Sequence, residues 1–378
     1  MPNVFVPKET APGETRVAAT PETIKQFIKN GLTVAVESGA GGGAFIPDTE
    51  YQAAGASIVS RADGLAAADI VASVGPPSVD DIGRMKSGSI LVALMAAHRN
   101  LPVVTALQKK NITTFAMELI PRTTRAQSMD ALSSQASIAG YKAALIAATE
   151  LPRYFPLLMT AAGTIKPAKV VVMGAGVAGL QALATAKRLG AIVEVSDIRP
   201  AVKEQVQSLG GRFIDLPMEE SGEGQGGYAR EVSAEFLRQQ REIVTRHIAG
   251  ADVVITTAQV PGKKAPVLVT RDMVEKMKPG SLVIDLAVDS GGNCELSKPG
   301  EVNHNGVRIL GYSNLAATLA HDASLLYARN IVALSGEFVA KGGTINIDTG
   351  NEIIRGTLLT HGGEVVHTAT AELLSSRQ

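Results

Sequence analysis

The chain has 378 residues, 36 basic and 36 acidic side chains, a formal net charge of zero, 45% hydrophobic residues and only 4% aromatics, with no Trp. Sparse aromatics and the lack of a basic stripe exclude the footprint of a nucleic-acid partner, and a single cysteine, Cys294, excludes an internal disulfide framework and suits a reducing compartment. The length exceeds one ordinary core and predicts two domains, while no apolar run reaches the roughly 18 residues that a membrane span requires.

The N-terminus reads as a buried strand over 3–6 rather than as a signal peptide. Thr20 and Pro21 form an N-cap and first-turn proline that open a helix to Lys29, and Asn30 and Gly31 close it. Residues 32–37 return as a strand. The glycine loop 39–43 has no strand feeding a GxGxxG and is not read as a nucleotide site. A helix at 48–54, a strand at 57–59, an alanine-rich helix around Leu65 and strands at 70–74, 89–94 and 113–115 continue the alternation of a mostly parallel α/β unit. Residues 128–151, alanine-rich and almost free of breakers, predict a long helix that carries the chain into a second unit.

That second unit opens on a fingerprint. Val170, Val171 and Val172 run into Gly174-x-Gly176-x-x-Gly179, followed by a helical stretch over 180–189 and a strand over 191–195 ending at Asp197. Strand, tight turn and helix is the order that a dinucleotide site needs, with the diphosphate on the free amides of the helix start. A carboxylate about twenty residues on accepts the adenosine ribose hydroxyls and favours NAD over NADP; Arg199, two residues later, could instead attract a phosphate. The glycines alone also fit a turn of some other α/β domain. Beyond them come a helix at 201–209, a strand at 212–215, a glycine- and glutamate-rich loop at 218–228, a charged helix at 230–247, strands at 251–257, 281–286 and 308–311, and a helix from Asn314. The tail contributes strand-like pieces at 344–347 and 365–366. The prediction is α/β: two Rossmann-like domains with parallel sheets and a cleft between them, one composite from 1–138 plus 327–378 and the NAD(H)-binding one from 139–326.

The search for a substrate acid or base finds little. His98 ends a strand beside Arg99; His247, His361 and His367 read as surface groups and His321 as structural; no His/Cys cluster has metal-ligand spacing. The richer constellation is Arg122, Gln127, Asp130, Ser133 and Gln135. A guanidinium clamps a phosphate or carboxylate, and an amide with a carboxylate orients a carboxamide. The same residues also fit an N-cap and a solvated helix start.

At this cluster the sequence resembles the alanine dehydrogenase/transhydrogenase family, specifically the NAD(H)-binding component of proton-translocating nicotinamide nucleotide transhydrogenase in its soluble bacterial alpha-subunit form. The likeness rests on Pro7, Lys8 and Glu9 with Gly13, Glu14 and Arg16, on 122–135, on 160–164, on the glycine fingerprint with 181–190, on 226–229, and on the run from Asp285 to Cys294. It covers essentially the whole chain.

The resemblance implies a division of roles. Arg122 reaches the pyrophosphate or a ribose, Gln127 orients the nicotinamide, and Asp130 and Ser133 fix its carboxamide and ribose. Gly174, Gly176, Val177, Ala178 and Gly179 meet the cofactor at the turn; Asp197, Ile198 and Arg199 lie at the adenosine ribose. Thr257, Ala258, Leu286 and Asp289 complete the site, and Gly227 and Tyr228 sit in a loop that closes over it. Hydride then passes from NADH here to NADP⁺ on a separate NADP(H)-binding component, while a membrane-spanning component translocates protons. The implied setting is a homodimer on the cytoplasmic face of the bacterial inner membrane. Such Si/Re-specific transfer between two nicotinamides has no substrate oxygen to protonate, so the missing acid is expected. The alternatives are alanine dehydrogenase, whose lysine and histidine would fall near Ser73 and Leu94 and whose substrate positions match Arg16 and Asp289, and a regulatory NAD-binding module.

Overall fold

A computed structural model describes residues 1–217, 234–259, 262 and 264–376. In chain order its strands are β1 (Asn3–Val6), β2 (Thr33–Glu37), β3 (Ser57–Val59), β4 (Ile70–Ala72), β5 (Ile90–Ala93), β6 (Thr113–Ala116), β7 (Leu158–Thr160), β8 (Gly163–Ile165), β9 (Lys169–Met173), β10 (Ile192–Ser196), β11 (Arg212–Phe213), β12 (Val253–Thr256), β13 (Leu282–Asp285), β14 (Gly300–His304), β15 (Val307–Gly311), β16 (Leu358–His361) and β17 (Glu364–Val365). The chain divides into two compact units, Met1–Gln135 with Ala316–Gln378, and Ala136–Leu315. The first division falls inside the helix Ala131–Glu150, so a continuous helix rather than a loop carries the chain from one unit to the next.

In the first unit the sheet order is β17-β16-β6-β5-β4-β1-β2-β3, parallel from β6 to β3 and antiparallel at β16 and β17. Alternate side chains enter opposite cores. Val4, Val6, Val34, Val36, Ile70 and Val92 pack on one face, and Phe5, Ala35, Val71, Leu91 and Ala93 on the other. A sheet buried on both faces takes continuous apolar runs, which is what these strands are. The helix Ala320–Phe338 covers the first face, its Phe338 ring stacked on Phe115 at 4.6 Å between centroids. Thr20 caps Pro21–Lys29 as expected, with its amide donating to Thr23 Oγ1 at 2.8 Å.

The second unit repeats the plan, β11-β10-β9-β12-β13-β15-β14, parallel except for β14. Val170, Val172, Val193, Val253 and Ile284 face one core; Val171, Met173, Val254 and Val283 face the other. Both sheets therefore reverse direction beside their first strand, which is the doubly wound order of dinucleotide-binding folds. A separate two-stranded hairpin, β7–β8, precedes β9 and exposes Met159 at 79%.

Several local expectations change. Residues 344–347 form no strand; Ile345 makes only an isolated bridge to Val339, and the tail strands are β16 and β17. The edge strand β14 and the hairpin β7–β8 lack the apolar runs that reveal central strands, because they are largely exposed. The expected loop at 218–228 lies outside the described residues.

Gly64, in the helix Arg61–Ala67, lies against the Phe5 ring so closely that an added Cβ would stand 2.1 Å from it. Gly64→Ala gains about 0.5–1 kcal/mol of helix propensity but must displace a fully buried ring, an overpacking cost of about 1–3 kcal/mol. A lower denaturant midpoint for this variant is the expected result.

A candidate dinucleotide site

The turn after β9 is fixed by close contacts. Gly174 has φ +107°, and a Cβ there would stand 2.7 Å from Thr257 Oγ1. A Cβ on Gly179 would stand 1.8 Å from the Gly174 carbonyl oxygen, so the helix Val177–Arg188 starts pressed onto the end of its strand. Gly176 differs: nothing lies within 4 Å of an added Cβ, and it caps the helix with no side-chain hydrogen bond. Val177 is 43% exposed beside it. Open backbone and unclaimed amides at a helix start are what a pyrophosphate requires.

Asp197 closes one flank. Its Oδ2 accepts from the Ala175 amide at 2.7 Å and from Arg199 Nη2 at 2.9 Å, and its Oδ1 accepts from the Arg199 amide and Nε, both at 2.9 Å. Burial works against the charged carboxyl, but the hydrogen bonds from Arg199 and Ala175 outweigh it and hold the group below its usual range. Ile198 stands 84% exposed between the two.

The other flank is Thr257, whose amide donates to Met173 O at 3.0 Å and whose Oγ1 lies 3.2 Å from Gly174 O. The Ala258 amide donates to Asn293 Oδ1 at 3.0 Å, and Asn293 Nδ2 returns to Ala258 O at 2.9 Å. Asn293 is held by Asp285, which is wholly buried and accepts the amides of Ala287, Asn293 and Cys294 at 2.8–2.9 Å. Leu286 presents its carbonyl to Gln259 Nε2 at 2.5 Å, and Asp289 accepts from Ser313 Oγ at 2.5 Å. The sequence motif includes Asp285 and Asn293 without disclosing their role. A carboxylate at a strand end before Gly291, Gly292 and Asn293 is the signal that could have found it. Burial pushes the Cys294 thiol up to about 11, so it is inert.

Arg122, Gln127, Asp130 and Ser133 belong to the first unit; the glycine turn, Asp197, Thr257, Ala258, Leu286 and Asp289 belong to the second. Arg122 and Gln127 are exposed. Asp130 caps the helix Ala131–Glu150, accepting from the Ser133 amide at 2.9 Å and from Ser133 Oγ at 2.6 Å. Gly227 and Tyr228 lie outside the described residues.

Four of the histidines have distinct settings. His98 sits in a short turn, partly buried, with its pKa lowered by that burial and by Arg99. His247, read as a surface group, is instead half-buried against Glu194 at 2.6 Å. His361 pairs with Thr113, and His321 stands exposed beside Asp322.

At the direction switch of the first sheet, between β1 and β4, the polar groups engage one another. Glu9 accepts the amides of Val74 at 2.6 Å and Gly75 at 3.3 Å. Arg16 donates through Nε and Nη2 to Glu14 at 2.8 and 2.6 Å and through Nη1 to Gln135 at 2.8 Å. Ser73 Oγ donates to Gly75 O at 2.7 Å, and Leu94 packs on the core.

Two matches span the chain: residues 5–139 with the alanine dehydrogenase/PNT N-terminal domain and residues 143–368 with the C-terminal domain. The chain belongs to the alanine dehydrogenase/PNT family. It is 49% identical over 376 residues to the first portion of the NAD(P) transhydrogenase alpha subunit of Rhodospirillum rubrum, covering 97% of this chain and 98% of that one. Alanine dehydrogenase of Mycobacterium tuberculosis is 33% identical over 305 residues, covering 80% and 76%. The crystal structure of transhydrogenase from Sinorhizobium meliloti superposes with a TM-score of 0.87 at 48% identity, covering 96% of this chain and 99% of that one. The transhydrogenase relatives thus match more closely than the alanine dehydrogenase, as the sequence resemblance implied. No helix among the described residues is long and apolar enough to cross a membrane.

Burial pushes the Glu9 carboxyl up to about 7 against the two amides that favour its charge. Folded Glu9 keeps its proton to about pH 7, whereas the unfolded chain releases it near 4.5. Stability contributed by this group is therefore lost as pH rises from 4.5 to 7 and is level above that. Unfolding free energy of the wild type minus that of Glu9→Gln, measured by denaturant titration across this window, should fall with pH.

Proposed function

We propose that the chain binds NAD(H) and donates hydride directly from NADH to NADP⁺ held on a separate NADP(H)-binding component, within an assembly whose membrane-spanning component translocates protons. The observation that carries the reading is the open Gly176 turn beside a half-buried, anionic Asp197, in a chain related over nearly its whole length to transhydrogenase alpha subunits. Arg199 does not recommend NADP here, because both its Nε and Nη2 are spent on Asp197.

The bound dihydronicotinamide supplies the hydride; the residues bind, orient and exclude water. Gly174, Gly176, Val177, Ala178 and Gly179 receive the pyrophosphate, with Arg122 supplying a guanidinium. Asp197 and Ile198 receive the adenosine. Thr257, Ala258, Leu286 and Asp289 line the remaining length. Gln127 orients the nicotinamide, supported by the paired Asp130 and Ser133. Transfer between two nicotinamides moves no proton to substrate, so orientation is the main task. We further propose a homodimer, peripheral on the cytoplasmic side of a bacterial inner membrane; the exposed hairpin β7–β8 offers an apolar surface for self-association.

The test follows reduction of an NADP analogue by NADH with and without the NADP-binding partner, with pyruvate and ammonium run alongside. Partner-dependent transfer is expected; partner-free alanine formation would instead mark an alanine dehydrogenase. In the same assay Gln127→Asn should lower the transfer rate by about ten- to a hundredfold, the size of a small misplacement of reacting groups, while NADH affinity stays near wild type. A large affinity loss with an unchanged rate for the bound nucleotide would refute the orienting role.

A further inference from the structure

We infer that Arg199 is a latent 2′-phosphate-binding group, latched shut by Asp197, and that this latch sets the choice of nucleotide. The inference rests on the NAD(H) reading above and adds to it what enforces selectivity. The cation that a 2′-phosphate would need is already present at the end of β10, on a side chain 57% exposed.

A carboxylate offers about four acceptor positions. All four on Asp197 are taken, three by Arg199 and one by the Ala175 amide. A ribose diol bound here must therefore displace guanidinium bonds, and it can, because each hydroxyl donates to the carboxylate in exchange. A 2′-phosphate cannot make that exchange. It has no proton to offer near neutral pH once doubly ionised, and it is repelled by the same carboxylate. It therefore finds Arg199 latched and Asp197 charged. Neutralising Asp197 removes the repulsion and weakens the charge-assisted fork, releasing a guanidinium suited to bidentate phosphate binding. Selectivity in this account belongs to the pair, and Asp197 acts partly by occupying its neighbour.

The experiment is calorimetric titration of the full chain with NADH and with NADPH. The variants are Asp197→Asn, Arg199→Ala and the double substitution. Asn keeps a carbonyl acceptor for the Ala175 amide, so the turn retains its tie. NADPH affinity should rise by about ten- to a hundredfold in Asp197→Asn, the size of a gained hydrogen-bonded charge contact. It should fall back in the double variant. Arg199→Ala should bind NADH more tightly than wild type, because the diol no longer displaces a competitor, and this holds as a second test should Asp197→Asn fail to fold. With wild type binding NADH, the latch is overturned if Asp197→Asn gains no NADPH affinity, if the gain survives loss of Arg199, or if Arg199→Ala leaves NADH affinity unchanged or weaker. A wild type that binds neither nucleotide overturns the NAD(H) reading and the latch with it.

Discussion

The approach of the helix Val177–Arg188 to the end of β9 governs the rest of the second unit. With a glycine hydrogen where a methyl would stand 1.8 Å from the Gly174 carbonyl, the helix begins almost on top of its strand. Three adjacent strand ends then hold the one turn: β9 supplies it, Asp197 after β10 takes the Ala175 amide, and Thr257 after β12 bonds the Met173 and Gly174 carbonyls. Each tie is ordinary in strength, but together they leave the turn few ways to relax. The amides at the helix start are consequently fixed before any anion arrives, and binding there costs little ordering.

The parts of this design that depend on period or count were legible in the sequence. The central strands β9, β12 and β13 announce themselves as apolar runs because both faces are buried, and Asp197 follows from its distance to the glycines. Exposed edge elements carry no such signal, so β14 and the hairpin β7–β8 escaped it, and β16, though buried, is too short a run, Leu-Leu-Thr-His, to stand out. Charge pairing was hidden for a different reason. Arg199 reads equally as a phosphate clamp or as a carboxylate partner until geometry shows both ends of its fork on Asp197. His247 looked solvated on a charged helix, yet it meets Glu194 of β10, 53 residues away in sequence.

In the first unit the polar groups at the reversal of the sheet are engaged with one another. Its sheet has the same reversal of order as its neighbour's, and polar residues still collect at that point. There, however, Arg16 is forked by Glu14 and tied to Gln135, Glu9 sits on the amides of Val74 and Gly75, and Tyr327 donates to Ser73 O at 2.9 Å. Every donor named has an internal acceptor. Groups so engaged serve stability and hold the loops after β1 and β4 in place. The proposed reaction, for its part, asks for no proton exchange with a substrate.

Gln127 presents the converse arrangement, a polar side chain in solvent on backbone that is firmly held. Its neighbours Ala126 and Met129 are buried at 0% and 5% exposure, and Asn330 donates to the Ser128 carbonyl at 2.7 Å. Asp130 then locks the following helix start through both atoms of Ser133. The helix-cap and nicotinamide-orienting readings of this segment are therefore compatible, since the cap supplies the rigidity that orientation needs. A flexible amide finds its partner in many poses, whereas one on an anchored turn favours few. If transfer between two nicotinamides depends on distance and angle, the stiffness of 126–133 is itself part of the chemistry.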